Sequence, residues 1–225
     1  MTAADRIGLR DRILLTCFGI GAAALIGSTL WMVAQHRLTA PFQDQWDMLA
    51  WFRECARDCW SPSLWWRQHN EHRLAVPRLF FLADVHLFGG TNLLLVCANL
   101  AIQTFHGIVL AWLALRDPVI DRRAGLTFAI AAWATVLSGG QLENFIWGFQ
   151  VQIVLVLLLA TLASLALVRN RPLVAGILAT LATYTMANGV ILWIVLVLLA
   201  LGRRMPLKIV GALVFAGIPG LFNAR

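Results

Sequence analysis

The fold is decided by an uncharged stretch near the start of the chain, ILLTCFGIGAAALIGSTLWMVA, residues 13–34. A helix that crosses a membrane needs about 20 consecutive apolar residues, and this run has that length. Three arginines precede it, Arg6, Arg10 and Arg12. A cleaved signal peptide has an apolar core of only ~7–15 residues. The run therefore predicts a retained membrane helix whose basic N-terminus lies in the cytoplasm.

The composition of the whole chain indicates the same class of protein. Of the 225 residues, 60% are hydrophobic and 13% are charged, and the mean hydropathy is +0.76. Soluble domains are about 45–50% apolar and about 25% charged. These values exclude a soluble domain, a disordered chain and a disulfide-rich scaffold. The net charge of +7 is the kind of basic excess that sets membrane topology, so we expect no nucleic-acid partner.

Working outward from the first helix, the apolar segments predict an all-α integral membrane protein with about seven transmembrane helices. They lie at residues 13–34, 92–115, 124–137 and 151–168, as two short helices within 172–201, and as a last segment ending near 221. Residues 1–225 are thus expected to form a single polytopic membrane domain. The two short helices have about 15 residues each, or about 22 Å, so the turn at residues 186–189 is predicted to lie below the outer surface.

Residues 35–90 are predicted to form a long first outer loop. It contains half of the tryptophans, Trp46, Trp51, Trp60, Trp65 and Trp66. Tryptophan favours the membrane–water interface, so the loop is expected to contain interfacial helices. Its apolar segment at residues 74–88 is short. If that segment spanned, the basic cluster at residues 116–123 would face outward, so we predict a surface or partly inserted helix.

Cys55 and Cys59 are four residues apart in this loop. Three states are compatible with that spacing. They are two free thiols, a disulfide permitted by an oxidising outer compartment, and a metal pair completed by His69 and His72. The spacing matches no common structural zinc pattern.

Three polar clusters fall on the outer side in this topology. They occupy residues 41–47 (PFQDQWD), residues 69–73 (HNEHR) and residues 139–150 (GGQLENFIWGFQ). Polar residues at a membrane boundary often only solvate a loop. Three clusters on one side, with Glu143 and Asn188 near membrane depth, indicate a functional surface.

The order of these motifs resembles the N-terminal half of the polytopic GT-C glycosyltransferases, which use polyprenyl-phosphate sugars. The resemblance rests on DQWD at residues 44–47 directly after the first helix, and on NEHRLAVP at 70–77 followed by LFG at 87–89. It rests also on Glu143 in the next outer loop and on Asn188-Gly189 between two membrane helices. Many relatives have a basic residue where this chain has Asn188. Relatives continue through more helices, so the resemblance implies either a chain that lacks a C-terminal portion or a reduced relative.

The resemblance implies transfer of a sugar from a polyprenyl-phosphate donor to an unknown acceptor at the outer face. Asp44 and Asp47 would be the catalytic bases, since the attacking hydroxyl must lose a proton to a nearby carboxylate. The substrate-binding residues would be Arg73, His72, Arg78, Glu71, Glu143, Gln141 and Asn188. Arg73 would hold the leaving lipid phosphate. No metal ligand is assigned, although a divalent metal is compatible with the reaction. The implied location is a bacterial inner (cytoplasmic) membrane, with membrane lipid as a further partner.

A second class of function stays open. A non-catalytic polytopic protein, such as a lipid-linked-sugar flippase, a transporter or an assembly subunit, has the same composition. A transporter would more often place charge near the membrane midplane. Seven of the eleven acids of this chain lie on the predicted outer side, which favours surface chemistry.

Overall fold

A computed structural model describes residues 8–70 and 72–223, and every element within these residues is helical. The α-helices are α1 Leu9–His36, α2 Met48–Asp58, α3 Pro62–Trp65, α4 Ala75–Phe88, α5 Leu93–Arg116, α6 Arg122–Val136, α7 Leu142–Ile146, α8 Val151–Val168, α9 Pro172–Thr183, α10 Ile191–Gly202 and α11 Leu207–Asn223. Short 3₁₀ turns cover Gln43–Asp47, Gly139–Gln141, Gly148–Gln150 and Ala187–Val190. The predicted all-α class is confirmed.

Four segments are long and apolar enough to cross a membrane, Leu9–His36, Leu93–Arg116, Arg122–Ile146 and Gly148–Val168. Three shorter apolar helices follow, Pro172–Thr183, Ala187–Gly202 and Leu207–Pro219. These seven segments match the apolar runs of the sequence in position. By length, four of them qualify as spans and three do not, so an integral membrane protein is supported and the count of seven stays a prediction.

Helix boundaries agree with the sequence in most places and differ in one. The segment at residues 74–88 forms α4, and α4 ends at Gly89 in the left-handed conformation (φ 64°) that glycine adopts without strain. The sequence predicts an outer loop around Glu143, and residues 138–150 fold there as short helical turns. They contain α7 because Phe145 is fully buried in an apolar cluster and the backbone around it must satisfy its own hydrogen bonds.

The described chain divides into two compact units. Unit 1 comprises the residues up to Leu38 together with Val96–Trp147. Its apolar core contains Val33, Val96, Val136, Leu137 and Phe145.

The helices α1 and α6 of unit 1 begin at the same end. Asp11 near the start of α1 pairs with Arg123 at the start of α6, at 3.0 Å. At the other end, the Leu38 N–H donates to the Ile146 carbonyl at 2.9 Å. The N-termini of α1 and α6 therefore lie at the same end of unit 1, as the basic residues near both N-termini predict.

Unit 2 comprises Thr39–Leu95 and the residues from Gly148 onward. Its core joins α8, α9, α10 and α11. Alanines dominate the closest helix contacts, with Ala163, Ala175, Ala179 and Ala182 fully buried. Small residues allow membrane helices to approach each other closely and pack by van der Waals contact.

The break between α9 and α10 confirms the predicted interruption at residues 186–189. Gly189 lies in the 3₁₀ turn, and a Cβ at this position would overlap the Ala182 carbonyl group. Only glycine fits this approach of two backbones. The depth of the turn in a membrane stays a prediction.

Candidate functional site

The site in unit 2 begins with the 3₁₀ turn Gln43–Asp47, which follows α1 after six residues. Gln43 has a positive φ of 46°, and the turn leads directly into α2. Asp44 and Asp47 are both exposed. The turn therefore presents two carboxylates at the surface, separated by less than one helical turn of chain.

The second part of the site is a tight loop between His69 and His72. The N–H of each histidine donates to the carbonyl of the other, at 2.7 and 2.9 Å. Asn70 takes a positive φ of 49° to make this possible. Glu71, a predicted substrate ligand, lies outside the described residues.

His69 is the buried member of the pair, with 8% of its surface exposed. Its ring lies 5.4 Å from the Phe149 ring. Its Nε2 atom is buried and finds no hydrogen-bond partner among residues 8–70 and 72–223. Burial lowers the pKa of the imidazole below its usual value, while the nearby charges of Asp47 and Asp44 oppose that shift. The electrostatic influence of both aspartates on His69 places the two polar clusters of unit 2 in one neighbourhood.

His72 and Arg73 continue this loop toward the break between α9 and α10. The Ala187 N–H donates to His72 Nδ1 at 3.4 Å. The Val76 N–H donates to the Tyr184 carbonyl at 3.1 Å. Arg73 is half-buried, and its Nε atom has no hydrogen-bond partner in the described part of the chain.

The turn that carries Asn188 is therefore packed against the His69–His72 loop. Trp66 adds a ring contact to Tyr184 at 5.5 Å. Asn188 itself is exposed. The structure thus brings the predicted residues His72 and Arg73 to the turn that carries Asn188, and the charges of Asp44 and Asp47 reach this loop through their effect on His69.

Arg78 has a different environment from Arg73. Only 1% of its surface is exposed. Its Nη1 donates to the carbonyls of Leu64 and Trp65, at 3.2 and 2.6 Å, and the guanidinium lies 5.4 Å from the centre of the Trp51 ring. Burial, with a smaller effect of the Arg67 charge, lowers the pKa of Arg78 to about 10. Its Nε, like that of Arg73, has no partner in the described residues, but its Nη1 bonds tie α3 to α4 and favour an anchoring role.

The tryptophans of the outer loop divide into two groups. Trp46, Trp60 and Trp66 are exposed, as expected of interfacial residues. Trp51 is buried and donates its indole N–H to the Leu64 carbonyl at 3.0 Å, and Trp65 donates to the Cys59 carbonyl at 2.7 Å. The interfacial prediction is wrong for Trp51, which forms part of the folded core of the loop.

Cys55 and Cys59 form a disulfide at the end of α2. This excludes the free thiols and the metal pair for this state of the protein. In the described ranges, no three histidine, cysteine or acidic side chains cluster closely enough to hold a metal ion.

A cavity of about 310 Å³ lies beside the Gln43–Asp47 turn. Its walls are mainly apolar, with Met48, Phe52 and Phe81 among them. Gln45 also lines it, and its Nε2 donates to Asn92 Oδ1 at 2.5 Å. The Gln45 Oε1 atom is buried without a partner in the residues that the structure describes. The cavity thus combines an apolar wall with an open hydrogen-bond acceptor.

Asp84 forms the polar floor of this cavity. Its carboxylate accepts from the Asn92 and Leu94 N–H groups, both at 2.9 Å. These are free donors at the start of α5, so Asp84 acts as a helix cap contributed by a neighbouring helix. Its buried charge is satisfied by the backbone.

Gln141 and Glu143 lie in unit 1. The Gln141 side chain accepts from Gln103 at 2.9 Å and from Asn144 at 3.4 Å, and donates to the Thr135 carbonyl at 3.1 Å. Glu143 is exposed. Gln141 is therefore part of an internal network, whereas Glu143 is open to solvent or substrate.

Sequence reasoning missed several polar residues. Asn99, Gln103 and His106 are buried along one face of α5, at the i, i+4, i+7 spacing of a helix. The spacing was the available signal, but the surrounding apolar run concealed it. His69 was noticed only as a member of the HNEHR cluster and as a metal candidate.

Comparison with known proteins gives no relative. No protein-family model, curated protein or solved structure matches this chain.

Proposed function

We propose that this protein is a membrane glycosyltransferase of the GT-C type, which transfers a sugar from a polyprenyl-phosphate donor to an acceptor at the outer face. The observation that carries the proposal is the grouping in unit 2 of two exposed carboxylates with an incompletely bonded arginine. Asp44 and Asp47 act electrostatically on His69, which pairs through its backbone with His72, next to Arg73.

The chemistry uses these groups in two roles. An acceptor hydroxyl attacks the anomeric carbon of the donor sugar and passes its proton to Asp44 or Asp47. The bond from the anomeric carbon to the phosphate oxygen breaks, and polyprenyl phosphate leaves with the electron pair. Arg73 stabilises the developing negative charge through its guanidinium, whose planar donors fit phosphate oxygens. The apolar cavity beside the turn accommodates donor carbon atoms, and Asn188 contributes hydrogen bonds to sugar or acceptor.

The orientation follows from charge and from the disulfide. Basic residues concentrate at the start of α1, at the end of α5 and the start of α6, between α8 and α9, and from the end of α10 to the start of α11. Disulfides are rare in reducing compartments, so the Cys55–Cys59 bridge supports an outer location for α2. We place the N-terminus in the cytoplasm, with seven membrane-inserted helices, three of them short, in a bacterial inner membrane.

Cysteine labelling tests this orientation. In a background without Cys17 and Cys97, Gly140→Cys should react with an impermeant thiol reagent in intact cells, and Asp117→Cys should react only after lysis. Both positions are exposed. The reverse pattern would overturn the orientation and the outer location of the site.

The catalytic roles are tested on the full-length protein in membranes. A panel of polyprenyl-phosphate hexoses and pentoses is supplied, and release of polyprenyl phosphate is measured. Asp44→Asn keeps the shape of the side chain and removes its basicity, so we expect a loss of about 10²–10⁴-fold. Asp47→Asn is expected to be severe or intermediate.

Asp58→Asn is the matched control, because Asp58 is an exposed acid of the same loop that caps the Trp60 N–H and asparagine retains that acceptor. It should release product at the wild-type rate. Near-normal release by the Asp44→Asn, Asp47→Asn double variant, or no release by wild type from any donor, would favour the non-catalytic flippase, transporter or subunit.

A further inference from the structure

A second open feature of unit 2 is an apolar groove of about 550 Å³ between α9, α10 and α11. Its walls include Leu173 and Ile177 from α9 and Ile209 and Leu213 from α11. Thr180 also lines it, but its hydroxyl donates to the Gly176 carbonyl at 3.0 Å. The Thr180 hydroxyl proton is therefore used within α9, and the wall beside it is apolar.

The groove forms where small residues of α9 and α11 lie opposite the large Trp193 side chain of α10. Gly176, Ala212 and Ala216 leave space along α9 and α11. Trp193 closes the floor, and its indole N–H donates to Thr183 Oγ1 at 3.1 Å, which fixes the ring. A Cβ on Gly176 would meet nothing nearer than Trp193 at 3.9 Å, so the space above Gly176 is open.

Positive charge collects at one end of the groove. Lys208 is the single lysine of the chain and the one charged residue among those that line the groove. The starts of α9 and α11 lie at this end, with the positive ends of their helix dipoles. Arg203 and Arg204 lie in the short connection that leads to α11.

The length of the groove fits one leaflet of a bilayer. Along α9 it runs from Pro172 to Thr180, a rise of about 12 Å. Half of a hydrocarbon core is about 15 Å. A ligand with a hydrocarbon chain of leaflet length and an anionic head would place the chain on Trp193 and the head beside Lys208.

We infer that this groove binds an anionic phospholipid of the leaflet at the basic end of α9 and α11. One acyl chain lies in the groove, and the headgroup phosphate pairs with Lys208. A second copy of this chain is a poorer occupant, because it would bring like charges together at the basic ends. The inference does not depend on the proposed transferase activity.

Photo-cross-linking tests the site directly. The full-length protein is reconstituted in phosphatidylcholine vesicles that contain a trace of phosphatidylglycerol with a diazirine in one acyl chain. After illumination, adducts are mapped by mass spectrometry. We expect adducts on residues 172–180 and 208–216, and unlabelled phosphatidylglycerol should displace the probe about fivefold better than added phosphatidylcholine, as expected for about 1 kcal/mol from one basic residue.

Two pairs of variants separate the headgroup from the groove. Lys208→Gln should reduce the displacement by phosphatidylglycerol to the phosphatidylcholine level, whereas Arg203→Gln, an equal loss of charge outside the groove, should keep most of it. Gly176→Leu fills the groove and should remove the adducts. Gly211→Leu, which adds the same group where nothing lies within 4 Å, should leave them unchanged.

The wild-type competition decides the question even if a variant fails to fold. Equal displacement by the two lipids would show a non-selective annular contact and overturn the proposal. Adducts that disappear as the protein-to-lipid ratio rises would assign the groove to a second copy of the chain, and displacement by inorganic phosphate would assign Lys208 to a free anion.

Discussion

The Gln141 network of unit 1 and the His69–Arg73 loop of unit 2 differ in their hydrogen bonding, although unit 1 also holds a buried atom without a partner in the described residues, Asn99 Oδ1. In unit 1, Gln103, Gln141 and Asn144 hydrogen-bond to one another between α5, the 3₁₀ turn and α7. In unit 2, His69 and Arg73 retain buried nitrogen atoms that have no partner in the described residues. An unsatisfied buried polar group costs about 1–3 kcal/mol, so a fold retains one most readily where a ligand completes it.

The difference teaches that residue type alone does not identify a site. Gln141 and Arg73 both belong to outer polar clusters of the sequence. Gln141 uses both ends of its amide within the protein, which indicates a structural role. Arg73 keeps donor capacity free, which indicates a binding role.

The largest effect is expected from Gly189→Ala. The added methyl group would overlap the carbonyl carbon and oxygen of Ala182. These are backbone atoms, so they cannot move aside as a flexible side chain could. Overpacking of this kind typically costs up to about 3 kcal/mol. Thermal unfolding in detergent measures the loss, and donor turnover should fall with it because the turn supports His72.

Gly211→Ala is the control for this substitution, since it lies in α11 with open space around it. Its unfolding temperature should equal or exceed that of wild type. Wild-type stability of Gly189→Ala would remove the close turn from the description of the unit 2 site.

A smaller effect is expected from Gln141→Leu in unit 1. The substitution deletes three hydrogen bonds and leaves the Gln103 amide without its partner. The free energy of unfolding should fall by about 1–3 kcal/mol, with turnover per folded molecule unchanged. Glu143→Gln, at an exposed neighbour, should change stability by less than about 0.5 kcal/mol.

The kinetics of Gln141→Leu can contradict the contrast between the two units. If Gln141 binds substrate, as the sequence analysis predicts, Gln141→Leu should raise KM while the unfolding temperature stays near the wild-type value. The contrast between a satisfied network and an open site would then fail for unit 1.

The smallest effect concerns pH and His69. Burial lowers the pKa of His69 in the folded protein, so neutral imidazole stabilises the fold above the ordinary value of about 6.5. That stability is lost as pH falls below about 6.5 toward the lowered pKa, by at most about 1.4 kcal/mol per pH unit. Unfolding temperatures between pH 8 and pH 5, compared for wild type and His69→Gln, measure it.

His86→Gln is the control for the pH series, because His86 is exposed on α4. It should retain the wild-type decline at acid pH, whereas His69→Gln should flatten it. An identical decline in all three proteins would assign the acid sensitivity to other groups.

Apolar run length predicted most helices because each membrane segment satisfies its own backbone hydrogen bonds. The α8 bounds agree with the predicted 151–168, and the break before α10 follows from Asn188-Gly189. The helix α7 was missed because long-range burial of Phe145 determines it. The burial of Trp51 was missed because its partner is a backbone carbonyl 13 residues away.

The site could be predicted only in part. Asp44, Asp47 and Arg73 stand out in the sequence because they lie in short polar motifs close to apolar segments. The pairing of the His69–His72 loop with the turn at Ala187 spans 115 residues, and no local pattern encodes it. The different environments of Arg73 and Arg78 likewise depend on carbonyl groups supplied by another helix.

The disulfide has a consequence for biosynthesis. Cys55 and Cys59 are only four residues apart, and both precede every described helix from α3 onward. The bridge needs no residue from later in the chain. The bridge can therefore close as soon as α2 has folded, before α5 and the following helices are synthesised.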